Sequence, residues 1–185
     1  MTEPLSPDQP LKTMAAPPES PSAPEGFTAR HFGDGFVAVN GPLYTRRFEA
    51  GIQVGFRVED RHTNPMKICH GGMLASFADM LLPMTAHHLC AEAKGRFLPT
   101  ISLQIDYLSQ APLGAWVQGE AQVLRVTRSM IFMQGLLTAD AVTVARVSGI
   151  FKIGAVFAGR HPFAGPPSGE SAGLAQDADR TFTGA

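Results

Sequence analysis

The residues with the clearest chemical potential lie in one segment, Asn64-Pro65-Met66-Lys67-Ile68-Cys69-His70-Gly71-Gly72 followed by an apolar run with Asp79 inside it. Asn64 is an amide that can donate a hydrogen bond or orient a water. His70-Gly71-Gly72 sits where the apolar run begins, so it is expected to open a helix. A helix N-terminus presents unpaired N–H groups and a partial positive charge. Glycines there let another molecule approach those groups closely. Such a site suits a carbonyl oxygen that gains negative charge during acyl transfer. Asp79 is a lone carboxylate among apolar residues, and it can serve as general base or as nucleophile.

Spacing constrains how these groups cooperate. Gly71 and Asp79 are eight positions apart, which is about 12 Å along a helix. One carbonyl cannot touch the amide at 71 and also lie within about 3 Å of the carboxylate of the same chain. If both groups act on one bond, the carboxylate must come from a second copy. A two-fold dimer with antiparallel central helices would supply two such sites.

The elements that must position these groups follow from patterning. Leu74, Phe77, Leu81 and Met84 mark one helical face. Met73, Met80, Leu82, Ala75 and Ala78 fill the others, so the helix is expected to be buried nearly all round. Pro83 has no N–H for the Asp79 carbonyl, so the helix should kink or end near it. Phe36–Val39 reads as a short strand stopped by Asn40-Gly41-Pro42. Leu43–Phe48 and Ile52–Val58 read as a hairpin around Ala50-Gly51. After the helix come four strand-like runs, Thr100–Leu108, Ala115–Thr127, Met130–Asp140 and Thr143–Ile153. Their short connections predict an antiparallel meander. The expected fold class is α+β, a sheet of about six antiparallel strands wrapped around one long helix.

The chain has 185 residues, 44% hydrophobic and 17% charged, with a net charge of −1. That balance gives no reason to expect a nucleic acid or an acidic membrane as partner. No apolar run approaches the roughly 20 residues that span a bilayer. Seven of the fifteen prolines fall between Pro4 and Pro24. Residues 1–25 are therefore expected to be a disordered tail, 26–158 the folded domain, and 159–185 a second, Gly/Ala/Pro-rich tail. Cys69 and Cys90 cannot form a framework of bridges, which fits a reducing cytoplasm. The six histidines lack metal-site spacing, so no metal is expected.

Asn64, His70-Gly71-Gly72 and Asp79 resemble the motif of the hotdog-fold thioesterases, specifically the PaaI-like acyl-CoA thioesterases of the phenylacetate-pathway type. Pro99-Thr100-Ile101-Ser102-Leu103-Gln104-Ile105-Asp106-Tyr107-Leu108 resembles the strand that follows the central helix in that family. The likeness covers roughly residues 35–155. It implies a hotdog fold of five or six antiparallel strands, a homodimer or dimer of dimers, and hydrolysis of acyl-CoA to free acid and coenzyme A. Gly71 and Asn64 would polarise the carbonyl, and Asp79 of a partner would activate water or attack directly. Thr100 would help hold the water, while His70 and Gly72 would support the turn. No cofactor is implied, because coenzyme A is part of the substrate.

Blander readings stand beside these. Asp79 can be a structural carboxylate, Asn64 a turn former, His70 a helix-start brace and Cys69 a small buried residue. Arg125 and Arg128 can meet coenzyme A phosphates or simply face water. A hydratase of the same fold resembles Asp-x-Asn-Pro-x-His, but Lys67 stands where its His belongs, and a dehydratase of that fold has its acid further along the helix from its His than Asp79 is from His70. A non-catalytic acyl-CoA-binding module is the other alternative. The acyl group and its carrier, coenzyme A or an acyl carrier protein, stay open at this point.

Overall fold

The computed structural model describes residues 23–32 and 35–157. The expected tails, residues 1–25 and 159–185, lie almost wholly outside the described residues. Seven antiparallel strands form one sheet in the order β1-β2-β3-β5-β6-β7-β4. The strands are β1 (Thr28–Arg30), β2 (Leu43–Phe48), β3 (Gly51–Arg57), β4 (Thr100–Tyr107), β5 (Trp116–Val126), β6 (Met130–Ala139) and β7 (Val142–Lys152). A short helix α1 (Phe36–Asn40) precedes β2, and the long helix α2 (Gly71–Leu89) lies against the sheet.

The hairpin expected around Ala50 forms with Phe48 opposite Gly51. Strand β3 is buried on both faces from Gly51 to Phe56, because α2 covers one face and, on the other, Phe48 lies over Gly51 and Trp116 over Gly55. Helix α2 lies close on the sheet where there are no side chains to hold it off. A Cβ at Gly119 would run into Leu81, and one at Gly149 would run into Leu82 and Phe151. Leu74, Phe77, Ala78, Leu81 and Leu82 are almost fully buried there, together with Val54, Phe56, Val117, Leu137 and Val147.

Four expectations need correction. Phe36–Val39 is not a strand but most of α1, bracketed by Gly35 at φ +93° and by Gly41-Pro42. A short apolar run carries no periodicity that separates strand from helix. The turn is instead set locally, with the Asn40 amide donating to the Phe36 carbonyl at 2.9 Å. Helix α2 does not end at Pro83 but continues to Leu89. Residues 81–86 are all buried, and that packing outweighs the bond lost at proline, about 3 kcal/mol.

Helix α2 is also not covered on every side. Ala75, Ser76, Asp79 and Met80 form a half-exposed stripe, at the i, i+3, i+4 spacing of one face. Finally, β5, β6 and β7 form a meander but β4 does not join it at β5. It pairs with β7 at the far edge, Thr100 opposite Phe151 and Tyr107 opposite Ala145. The connection from Leu108 to Ala115 crosses back because it is pinned elsewhere, with Cys69 N–H bonded to the Ala111 carbonyl and Leu113 N–H to the Lys67 carbonyl.

Strand β1 has no alternating pattern of its own. Its place comes from Phe27, which packs edge-on to Trp116 at 5.0 Å beneath the Arg46 guanidinium.

Candidate active site

The turn before α2 is built by main-chain and side-chain bonds together. Asn64 N–H donates to the Ile68 carbonyl, and Lys67 N–H to the Asn64 carbonyl, both at 2.9 Å. The Asn64 side-chain oxygen accepts from Met66 N–H at 2.9 Å and from Ile68 N–H at 3.4 Å. Thus Asn64 forms the turn, and its Nδ2 has no acceptor among the described residues. Lys67 takes the left-handed conformation at φ +56° that closes the turn. Its ammonium pairs with Asp60.

Behind the turn lies His62, 3% exposed. Its Nδ1 accepts from Glu59 N–H at 3.0 Å, its Nε2 lies 3.1 Å from the Asn40 carbonyl, and its ring meets Phe56 edge-on. Burial first, and the Arg61 charge second, push the His62 pKa down, so its neutral form is favoured. The His62 carbonyl accepts from His70 N–H at 2.8 Å, which ties the buried ring to the helix start.

His70 is the N-cap of α2. Its Nδ1 accepts from Gly72 N–H at 2.8 Å, which leaves the proton on Nε2. Gly71 N–H has no acceptor among the described residues, so this donor is available at the helix start. Sequence reading missed the role of Tyr107. Its hydroxyl donates to the Gly71 carbonyl at 2.8 Å, and its ring lies 3.3 Å from where a Gly71 Cβ would stand. No local signal in the sequence reports this contact, which depends on β4 occupying the sheet edge.

Asp79 lies on the half-exposed stripe of α2. Thr100, the first residue of β4, donates its hydroxyl to Asp79 Oδ1 at 2.6 Å. No backbone amide donates to Asp79 among the described residues, so it lacks the main-chain ties of a structural carboxylate. The structure therefore brings Asn64, His70, Gly71 and Gly72 together at one end of the helix. It brings Asp79 and Thr100 together eight residues further on, about 12 Å away along the axis.

Cys69 is buried beside the turn, and burial pushes its pKa up to about 12, so it is an un-ionised thiol at neutral pH. Arg125 and Arg128 are exposed near the β5–β6 turn. There Met130 pairs with Lys152, whose N–H bonds the Pro99 carbonyl next to Thr100. Among the described residues no three His, Cys, Asp or Glu side chains converge as a metal site would need.

Comparison with known proteins finds this geometry's relatives. Residues 66–145 match the family described as "Thioesterase superfamily". The fold is the hotdog fold, and residues 66–145 are similar to that superfamily. Human acyl-coenzyme A thioesterase 13 is 33% identical over 85 residues, a match spanning 46% of this chain and 59% of that protein. The crystal structure of zebra fish thioesterase superfamily member 2 is 27% identical with a TM-score of 0.58, covering 65% of this chain and 87% of that one. A mutant of the phenylacetic acid degradation protein PaaI from Thermus thermophilus shares the hotdog fold. It has a TM-score of 0.53 at 22% identity, over 64% of this chain and 98% of that one.

Proposed function

We propose that this hotdog protein hydrolyses acyl-CoA thioesters at sites shared between two subunits. The observation that carries the reading is the position of the Thr100–Asp79 pair, on the open stripe of the same helix whose start holds the unpaired Gly71 N–H. Strand β4 runs antiparallel to α2, with Thr100 at Asp79 and Tyr107 at Gly71. It is an eight-residue edge strand on which Ile101 and Tyr107 are more than half exposed, as is Leu108 just past its end. A long unpaired edge with exposed apolar side chains calls for a covering strand.

Two-fold pairing of β4 with its copy sets the two strands and the two α2 helices antiparallel. It moves Tyr107 and Gly71 of one subunit towards Thr100 and Asp79 of the other, which removes the separation of about 12 Å.

In this arrangement Gly71 N–H and Asn64 Nδ2–H bond the thioester oxygen. The partner subunit's Asp79, held by its Thr100, takes a proton from water. The water oxygen bonds to the carbonyl carbon, and the excess charge rests on the oxygen facing the two donors. Collapse breaks the C–S bond, and the proton passes from Asp79 to the sulfur, giving free acid and coenzyme A. The hydratase alternative is disfavoured because Lys67 stands where that chemistry needs a His, and its ammonium is paired with Asp60.

Thiol release from a panel of acyl-CoA esters tests the reading. Wild type is expected to release thiol, and Asp79→Asn to lose between about 10² and 10⁴ in kcat. Equal rates in the two proteins would reject it.

A further inference from the structure

Beside Asp79 the stripe of α2 opens into a recess of about 110 Å³ between α1, the start of β2 and α2. Val37, Leu43, Met73, Phe77 and Met80 make its apolar wall, and Asp79 stands on its rim. Leu43 and Phe77 are 2% and 1% exposed, so that side of the recess is fixed by the core. Helix α1 forms the opposite side, with Phe36 65% exposed. Two polar side chains also touch the recess, and each already donates one bond to the backbone. Ser76 donates to the Gly72 carbonyl at 2.8 Å and Asn40 to the Phe36 carbonyl at 2.9 Å.

We infer that this recess receives the acyl group, and that α1, through Val37, sets how long that group can be. The inference rests on the thioesterase reading for the position of the reacting carbon. A carbon attacked by water on Asp79 must lie within a few ångströms of it, so its acyl chain begins at the mouth of the recess. On the scale in which a cavity of about 150 Å³ holds benzene, 110 Å³ takes about four or five carbons. With no cationic side chain among its lining residues and a carboxylate on the rim, an acyl group ending in its own carboxylate is rejected. The substrate class is therefore a compact, uncharged acyl group, straight or branched.

The test is a kcat/KM series with acetyl-, butanoyl-, pentanoyl-, octanoyl-, dodecanoyl- and succinyl-CoA on the full-length protein. Each methylene buried is worth about fourfold, so values climb from acetyl to a maximum at four or five carbons. They then fall at octanoyl, and succinyl-CoA lies at least 10-fold below butanoyl-CoA. Val37→Ala moves the maximum to longer chains, and Val37→Phe moves it to acetyl. Val37 is half-buried against the core, so thermal melts of both variants separate a loss of folded protein from a change of length preference. Binding of S-alkyl-CoA thioethers of the same lengths, measured by calorimetry, gives a readout independent of turnover. The same length optimum in binding with no ester cleaved would support the recess and sink the hydrolysis reading. A maximum at ten or more carbons, or a profile unmoved by both Val37 variants, would overturn the recess assignment while leaving hydrolysis intact.

Discussion

The turn that carries Asn64 and Gly71 is tied by main-chain bonds to His62 on one side and to Ala111 and Leu113 on the other. Asp79, on the same helix, is held by one hydroxyl. The first region is over-determined. Its donors point outward only because the Asn64 oxygen, His70 Nδ1 and the His62 carbonyl have already satisfied their neighbours. The second region is open on the side where ordinary packing would have closed it. A rigid set of donors facing developing charge needs no reorganisation during reaction. A carboxylate that must meet water and a neighbouring subunit needs room. The contrast accounts for both ends with one arrangement, in which each end is completed by the other's copy.

Substitutions can break that contrast in order of size. Asp79→Asn removes the base and has the largest expected effect on kcat, with little change in thermal stability because only one hydrogen bond is involved. Asn64→Asp is the sharper probe of the turn. It keeps the oxygen that braces Met66 and Ile68 N–H but loses the donor, and about 10² in kcat should follow while the fold persists. A wild-type rate in Asn64→Asp would make Asn64 a turn former only. Thr100→Val keeps the shape of the strand and frees the carboxylate; a loss of about 10-fold in kcat is expected, within the range of one hydrogen bond to a charged group.

The buried turn can also be probed by pH. The His62 pKa lies below its ordinary value of 6.5, so above 6.5 the ring is neutral whether the chain is folded or not. As pH falls through 6.5 the unfolded chain takes up a proton before the folded one does. Stability is then lost progressively towards the lower, folded value. The melting temperature of wild type should fall between pH 7 and pH 5 by more than that of His62→Gln. Parallel curves would show that His62 does not carry this dependence.

Much of this architecture was legible in the sequence because its signals are local. The strands from Trp116 to Lys152 alternate, their turns are short, and their ends fall within about two residues of the patterned runs. The Gly71–Asp79 separation needed only helix geometry. The features that were not legible depend on distant contacts. Strand β1 is held by Phe27 on Trp116, and α1 is an apolar run too short to show a period. Strand β4 leaves the meander because the Leu108–Ala115 connection is bonded to the Lys67–Cys69 turn. The family likeness singles out Thr100 as a holder of the water, but its hydrogen bond to Asp79 has no signal in the sequence. The Tyr107 contact with Gly71 had no signal at all, since it exists only once β4 occupies the sheet edge.

Mixing two disabled subunits tests the shared site most directly. Asp79→Asn and Asn64→Asp chains, unfolded and refolded together in equal amounts, should form mixed dimers in which one site has both intact halves. With half the dimers mixed and one site working in each, about a quarter of wild-type activity is expected. Activity no higher than the mean of the two separate variants would contradict a site built from two subunits.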